Sequence, residues 1–319
     1  MKAIVQGNYG SADVLALTDI DKPVVGENDV LVRVFAASLN AGDVFYMRGD
    51  PFSVRLVVGL PKPKNHVLGF DVSGQVEAVG KNVTLFKPGD EVYGSCDGTC
   101  AEYVCSAEEK FVLKPVNLTH EQAAAVPTAA ATALRGIRDA GQVQPGQKVL
   151  INGASGGVGT FAVQIAKSLG AEVTGVCSTR NVDMVRSIGA DHVIDYTQQD
   201  FTQDGQQYDL ILDNVANHSL SECRRALKPD GTLIPNSGGL GLGYVIRAFA
   251  SSLFIRQQGR PFVASTKPQD LVDLKEFIES GQITPVIDRT YPLSETPEAM
   301  GYLADGHARG KVVITMDDP

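Results

Sequence analysis

The sequence predicts an α/β protein in two parts, a barrel of short strands and a doubly wound parallel sheet. Three observations carry that expectation. Up to about residue 118 the chain consists of short β-branched runs cut by turn residues. Beyond residue 119, strands and helices of ordinary length alternate, which is how a parallel sheet is built. At 148–167 an apolar strand passes through a glycine-rich turn straight into a helix. The length of 319 residues leaves room for two ordinary domains of ~150 residues.

Taken in order, strands are predicted at 30–35, 72–79, 91–93 and 101–105. Between them, Val79-Gly-Lys-Asn-Val83 offers two hairpin-forming residues and Lys87-Pro-Gly-Asp90 a Pro-Gly reversal. Thr119 can N-cap a helix over 120–125. Strands then follow at 148–152, 172–176, 192–195, 210–213 and 231–235, with helices starting near Gly157, Asn181 and Ser219. Right-handed crossovers place the C-terminal ends of these strands along one edge. The tail adds a helix at 268–280, a strand at 286–291, a helix after Thr296 and a closing strand at 311–316. A closing strand must find a partner for its backbone groups, which favours a return to the first part.

Composition narrows the function classes. Hydrophobic residues at 43% and charged residues at 20% are ordinary for a globular chain, and 33 Gly and 16 Pro fall short of low complexity. The 28 basic and 37 acidic residues leave a formal charge of −9, so no nucleic-acid partner is expected and a small-molecule role gains weight. Five cysteines are odd in number and sparse, unlike a secreted disulfide framework, and a reducing, cytoplasmic location is expected. The first ten residues are too weakly apolar for a signal peptide. The stretch 244–255, interrupted by Arg247, is about half the ~20 residues of a membrane span, so no membrane partner is expected. Residues 240–255 suit a substrate-side helix, a core helix or a subunit interface, which leaves a homodimer open.

The strongest motif is Gly153-Ala-Ser-Gly-Gly-Val-Gly159. It lies between the strand at 148–152 and a helix whose apolar positions Val158, Phe161, Ala162, Ile165 and Ala166 recur at helical spacing. Missing side chains at Gly156, Gly157 and Gly159 allow a tight turn, close backbone approach to a pyrophosphate, and close packing of helix on sheet. The exposed N–H groups and dipole of a helix start favour an anion, so Ser155, Gly156, Gly157 and Val158 are candidate cofactor-binding residues. Ala154 stands where the usual motif begins with Gly; the strand-turn-helix setting strengthens the signal. The bland alternative is a purely structural turn.

A sharper alternative reads Gly153-Ala154-Ser155-Gly156-Gly157 as the nucleophile elbow of a serine hydrolase, with Asp213 and His307 in the right chain order for a triad. The chain lacks an HGGG-type oxyanion segment, and its β-rich first third has no place in that architecture.

An NAD site usually carries an acidic residue about 20 positions past the glycines, to accept from the ribose 2′-OH. Here that place is Ser178, within Cys177-Ser-Thr-Arg-Asn181. Two hydroxyls and a guanidinium, at Ser178, Thr179 and Arg180, suit a 2′-phosphate that no carboxylate repels, so NADPH is expected over NADH. The alternative is that Ser178 or Thr179 caps the helix near Asn181 and that Arg180 is solvated.

Further segments complete the pattern: Leu39-Asn-Ala-Gly-Asp43, Leu68-Gly-Phe-Asp-Val-Ser-Gly-Gln-Val76, Pro88-Gly-Asp-Glu-Val-Tyr-Gly94, Ala101-Glu-Tyr-Val104, Ala124-Ala-Val-Pro127 and Thr132-Ala-Leu134. With the glycine turn, they resemble the medium-chain dehydrogenase/reductase superfamily, in its zinc-independent quinone and enone reductase branch, over nearly the whole length. The resemblance implies a GroES-like, partly open β-barrel from residues 1–122 and 263–319, with a Rossmann domain at 123–262 inserted and the active site in the cleft between them.

Zinc members of that superfamily carry a Cys, a Gly-His-Glu and a later Cys. This chain has Asn40, Gly69-Phe-Asp71 and Thr128 near those places, so no metal ligand set is expected. Cys96, Cys100 and Cys105 do not match structural-zinc spacing and read as small barrel residues. The resemblance implies hydride transfer to a quinone or an α,β-unsaturated carbonyl, with the cofactor supplying the hard step. It places Asn40 beside nicotinamide and substrate, Asp43 holding that loop, and Thr132 facing the nicotinamide ring. The family often has a Tyr five residues after the Asn. Here Phe45 occupies that place and Tyr46 follows, so either Tyr46 or solvent supplies the proton. The resemblance sets Tyr196 at the adenosine, Asn214 and Val215 under the nicotinamide ribose, and Gly238 and Gly239 at the next strand end. It lets Arg309 and Lys311 reach the phosphates. Side-chain capping of a turn by Asn40 and Asp43, ordinary packing of Tyr196, and a surface turn at 309–311 are the plain alternatives. A non-catalytic NADPH-binding protein is the remaining one.

Overall fold

In the computed structural model, which describes all residues except 65, 237–256, 261–265 and 317–319, the β-branched runs of the first third pair as antiparallel strands. Pleated pairing buries β-branched side chains efficiently. In chain order these elements are β1 (Lys2–Gln6), β2 (Leu15–Asp19), β3 (Asp29–Leu39), α1 (Ala41–Arg48), α2 (Phe52–Val58), β4 (Asp71–Val79), β5 (Glu91–Ser95), β6 (Tyr103–Ala107), β7 (Phe111–Leu113) and α3 (His120–Ala124). Thr119 caps α3 as expected: its side chain accepts from the Gln122 N–H while the Gln122 side chain accepts the Thr119 N–H.

The alternating region follows with α4 (Pro127–Leu134), β8 (Lys148–Asn152), α5 (Gly157–Ser168), β9 (Glu172–Cys177), α6 (Val182–Ser187), β10 (His192–Asp195), β11 (Tyr208–Asp213), α7 (Leu220–Arg225), β12 (Leu227–Pro235) and β13 (Gln258–Gly259). The tail holds α8 (Pro268–Glu279), β14 (Ile287–Pro292), α9 (Thr296–Ala304) and β15 (Lys311–Thr315).

Two units result. The first comprises Met1–Ala129, Thr266–Glu279 and Pro285–Pro319; the second comprises Ala130–Ser265 and Ser280–Thr284. In the first unit β3 is the spine. One edge pairs with β4, and the other with β6 over residues 29–33 and with β15 over 36–39. The tail therefore does return. Val30, Val32, Val34, Val72, Val76, Val92 and Phe111 form one apolar cluster, and Ile4, Leu39, Met47, Val312 and Ile314 belong to another.

Among the described residues of the second unit, six strands run parallel in the order β10-β9-β8-β11-β12-β13. The order reverses between β8 and β11, and such switch points open a crevice at the strand C-terminal ends.

Three expectations differ from the structure. A boundary at 122/123 is too early: Ala124 and Ala125 pack with Ala36 and Val313, and Thr128 hydrogen-bonds Asp71, so the first unit extends to Ala129. The second boundary falls at 265/266 rather than 262/263, and Ser280–Thr284 joins the second unit, where Gln164 bonds both the N–H and the carbonyl of Thr284 at 2.8 and 3.0 Å. The hairpin expected at 79–83 is a turn, closed by Val83 N–H on the Gly80 carbonyl, but no strand follows it. The N–H groups of Thr84 and Leu85 go to the Glu108 carboxylate, and pairing resumes at β5 only after the Lys87–Asp90 turn.

Candidate functional site

In the first unit, α1 opens at Asn40, whose backbone is extended while the next residues are helical. The Asp43 carboxylate accepts the Asn40 N–H at 2.7 Å, so Asn40 and Asp43 do cap a helix start. The Asn40 carboxamide is committed at both ends. Its Nδ2 donates to Asp71 Oδ2 at 3.0 Å, and its Oδ1 accepts from the Lys311 ammonium. Lys311 also donates to the Leu39 carbonyl at 3.0 Å and stands 3.7 Å from Asp71 Oδ2. Asp71 takes more: Thr128 donates its hydroxyl at 2.6 Å and its N–H at 3.1 Å. Ser38 lies 3.5 Å from the same carboxylate and donates to the Ala124 carbonyl.

Asp43 and Asp71 are fully buried and Lys311 is 2% exposed. Burial pushes the Asp43 carboxyl up to about 7, against the pull of the Asn40 N–H; nearby Asp71 raises it further and Lys311 opposes. Burial pushes the Lys311 ammonium down, opposed by Asp71 and Asp43. Asp43 Oδ1 is buried with no hydrogen-bond partner among the described residues. Tyr46, further along α1, packs edge-on against Phe70 at 5.0 Å between ring centroids, and burial raises its phenol.

A catalytic zinc does not fit here. Phe70 offers no donor atom, Asp71 is saturated by N–H and O–H groups, and the Lys311 ammonium occupies the cage as its cation. Among the described residues there is no cluster of three His, Cys, Asp or Glu able to hold a metal. Cys96 and Cys100 lie buried in two different apolar clusters, with burial pushing the Cys96 thiol up to about 12.

In the second unit the turn after β8 carries its left-handed residue at Gly153 (φ 78°), rather than at the three glycines that follow. A Cβ on Gly159 would stand 2.1 Å from the Gly153 carbonyl oxygen, so that glycine serves close packing. Ala154 is accommodated because β9 has Gly175 opposite; a Cβ there would meet the Ala154 Cβ at 3.0 Å. The N-cap of α5 is Gly156, which has no side chain to satisfy the first-turn N–H groups of this 12-residue helix. Ser155, Gly156, Gly157 and Val158 are all partly exposed there, Val158 included, so Val158 is not part of the buried helix face. An uncapped helix start at the end of a central parallel strand fits a dinucleotide diphosphate.

Ser155 Oγ accepts from Asn181 Nδ2 at 3.0 Å, and Asp213 Oδ1 accepts from Asn152 and from the Val215 and Ala216 N–H groups. Both groups are thus engaged by asparagines or main-chain N–H groups of their own unit. Ser178 Oγ also accepts from Asn181, at 3.2 Å, and no side chain caps the following turn, so the capping alternative for Ser178 and Thr179 fails.

The expectation of a site without carboxylates also fails. Thr179 donates its hydroxyl to Asp195 Oδ2 at 2.6 Å, placing an anion against one of the three residues expected to take the 2′-phosphate. Thr197 N–H, Thr197 hydroxyl and Gln198 Nε2 also donate to Asp195, which holds its carboxyl below the usual range and disperses its charge. The Thr179 and Arg180 side chains are exposed.

Tyr196 follows β10 and is 56% exposed, which removes packing as its explanation. Asn214 follows β11, donating to the Asn152 carbonyl at 3.1 Å and accepting from Asn236 Nδ2 at 2.7 Å; Val215 is exposed beside it. Thr132 lies in α4 and is 5% exposed. Gly238, Gly239 and the stretch 240–255 lie outside the described residues. In the first unit, Arg309 is exposed and its N–H donates to Asp288. Lys311 does not reach outward to phosphates, as its ammonium is spent inside.

Thus Asn40, Asp43 and Tyr46 gather on α1, while Ser155–Val158, Ser178–Arg180, Tyr196, Asn214 and Val215 gather at neighbouring strand ends. Asp71 and Thr128 were not among the expected functional residues, nor were Asn152 and Asn236, and Lys311 was expected at the phosphates instead of at Asn40. The available signals were a lysine opening an otherwise apolar strand, and asparagines closing apolar ones.

Residues 26–178 match the alcohol dehydrogenase GroES-like domain family, and residues 188–314 match the zinc-binding dehydrogenase family. The chain is 37% identical to the mitochondrial NAD(P)H oxidoreductase RTN4IP1 of Bos taurus, over 99% of this chain and 89% of that one. It is 33% identical to the chloroplastic NADPH-dependent alkenal/one oxidoreductase of Arabidopsis thaliana, over 98% of this chain and 79% of that one. The solved structure of a quinone oxidoreductase from Coxiella burnetii superposes with a TM-score of 0.88 at 31% identity, over 99% of both chains.

Proposed function

The chain belongs to the medium-chain dehydrogenase/reductase superfamily, in its zinc-independent branch, and from that premise we propose that it is an NADPH-dependent reductase of quinones or α,β-unsaturated carbonyls. A nicotinamide cofactor, when bound, supplies the hydride. The single observation that carries the choice of substrate is the Asn40–Asp71–Lys311 cage: it has hydrogen-bond donors and no ligand set for a Lewis acid. Such a site suits an acceptor already made electrophilic by conjugation.

Each residue then has a physical task. The main-chain N–H groups of Ser155–Val158 hold the diphosphate, and Ser178, Thr179 and Arg180 take the 2′-phosphate, with Asp195 screened by its own donors. Tyr196 lies along the adenosine, Asn214 and Val215 support the ribose, and Thr132 faces the nicotinamide. Asn40 donates to the substrate oxygen as negative charge develops there, and Asp43 fixes its backbone. Solvent delivers the final proton, because a raised Tyr46 phenol is a weaker acid than usual.

Following cofactor absorbance at 340 nm with quinones, enones and matched saturated ketones tests the reading. Turnover of the conjugated acceptors alone, faster with NADPH than with NADH, is the expected result. Reduction of saturated ketones at comparable rates would overturn the substrate class, and a preference for NADH would overturn the cofactor.

A further inference from the structure

We propose that Lys311 is a positioning residue for this reaction: its ammonium and the Asp71 carboxylate, bonded to opposite ends of the Asn40 carboxamide, lock that amide in one orientation, so that the second N–H of Nδ2 is what the site offers to a substrate oxygen. The inference rests on the reading of Asn40 given above and assigns the group that makes Asn40 specific.

A carboxamide is nearly symmetrical in shape, and its two ends differ only as donor and acceptor. An Asn at a helix start can satisfy its surroundings in either orientation unless its neighbours are of one kind only. Lysine has only donors and an ionised carboxylate only acceptors. Lys311 donates to Oδ1 and Asp71 accepts from Nδ2 at 3.0 Å, so reversal would set donor against donor and acceptor against acceptor. Both ions are held in turn: Lys311 by the Leu39 carbonyl, Asp71 by the Thr128 N–H and hydroxyl. At 2% and 0% exposure, water cannot substitute for either. Asn40 itself is only partly buried, and among the described residues Asp71 alone accepts from its Nδ2, leaving the second N–H to the site.

The logic also predicts what a neutral cage does. In the Asp71→Asn, Lys311→Met pair, the side chain at 71 keeps an acceptor toward Thr128 and turns a donor toward Asn40. The Asn40 amide then reverses to accept it, exchanging the N–H for a lone pair where the substrate oxygen would sit. Such a protein lacks the buried Asp71–Lys311 ion pair yet reduces slowly.

The test combines turnover with the amide itself, seen by NMR of full-length protein labelled with 15N at asparagine, the Asn40 signals being assigned by Asn40→Ser. Expected are two well-separated, slowly exchanging Asn40 side-chain N–H signals in the wild type and in Lys311→Arg, which keeps a donor. Lys311→Met and the double variant should move both signals and lower kcat by about 100-fold, with the KM for NADPH held within about two-fold. If Lys311→Met alone fails to fold, the double variant carries the test. Unmoved signals with wild-type kcat in the double variant would overturn the proposal. A wild type that reduces no conjugated acceptor would instead defeat the substrate reading, while the signals still report whether the amide is locked.

Discussion

At the head of α5 the second unit presents main-chain N–H groups from a few consecutive residues, whereas around Asn40 the first unit gathers side chains from residues 38, 43, 71, 128 and 311. The first arrangement is open to solvent and depends on side chains being absent. The second is buried and depends on every side chain present finding a partner. A backbone site tolerates changes around it so long as the turn forms, while a buried ionic cage fails when any one member is removed.

This contrast sets the order of expected effects. Lys311→Met alone leaves Asp71 without its counter-ion and should cost about 3–5 kcal/mol in urea denaturation, most of it recovered when Asp71→Asn is added. Failure of the second substitution to restore stability would show that the cage is held by packing instead of charge. Arg180→Ala should weaken NADPH by about 1.5–3 kcal/mol in titration calorimetry and leave NADH unchanged, since only the former carries the 2′-phosphate; equal losses would transfer that phosphate to other residues. Gly159→Ala puts a Cβ against the Gly153 carbonyl, and should destabilise the second unit by about 1–3 kcal/mol and weaken both cofactors alike.

A further effect depends on pH. Asp43 has its carboxyl raised to about 7 in the fold against an ordinary value near 3.8, so the folded chain binds that proton more tightly than the unfolded one. The stability this contributes is full below about pH 4 and lost as pH rises toward and through 7. The Tm of the wild type relative to Asp43→Asn should therefore fall with rising pH across that window and level off above it; a gap that is constant with pH would mean the carboxyl titrates normally.

The same contrast explains what could be read in advance. A glycine turn between an apolar strand and an apolar helix face is a local pattern, so the parallel sheet, its strand ends and residues 155–158 were legible in the chain. Thr119 and its helix were legible for the same reason. The cage was not, because residues 71, 128 and 311 meet Asn40 only once β4, α4 and β15 have packed, and a lone lysine before Val312 carries no mark of its partner. Asp195 was hidden similarly: it closes β10, and only the pairing of β10 with β9 brings it to Thr179. The boundary near Ala129 was misjudged because alanines carry little periodicity, and it is their smallness that lets α3 lie close to β3 and β15.

Because Lys311 opens the strand that zips onto β3, the ammonium joins the cage late in synthesis. A nascent chain on the ribosome already holds Asn40, Asp43, Asp71 and Thr128, but the Asp71 carboxylate lacks its lysine counter-ion until residue 311 has left the exit tunnel. Chains cut short before that point, by stalled translation or by proteases, would keep the glycine turn between β8 and α5 and lack both the counter-ion of Asp71 and the donor to Asn40 Oδ1.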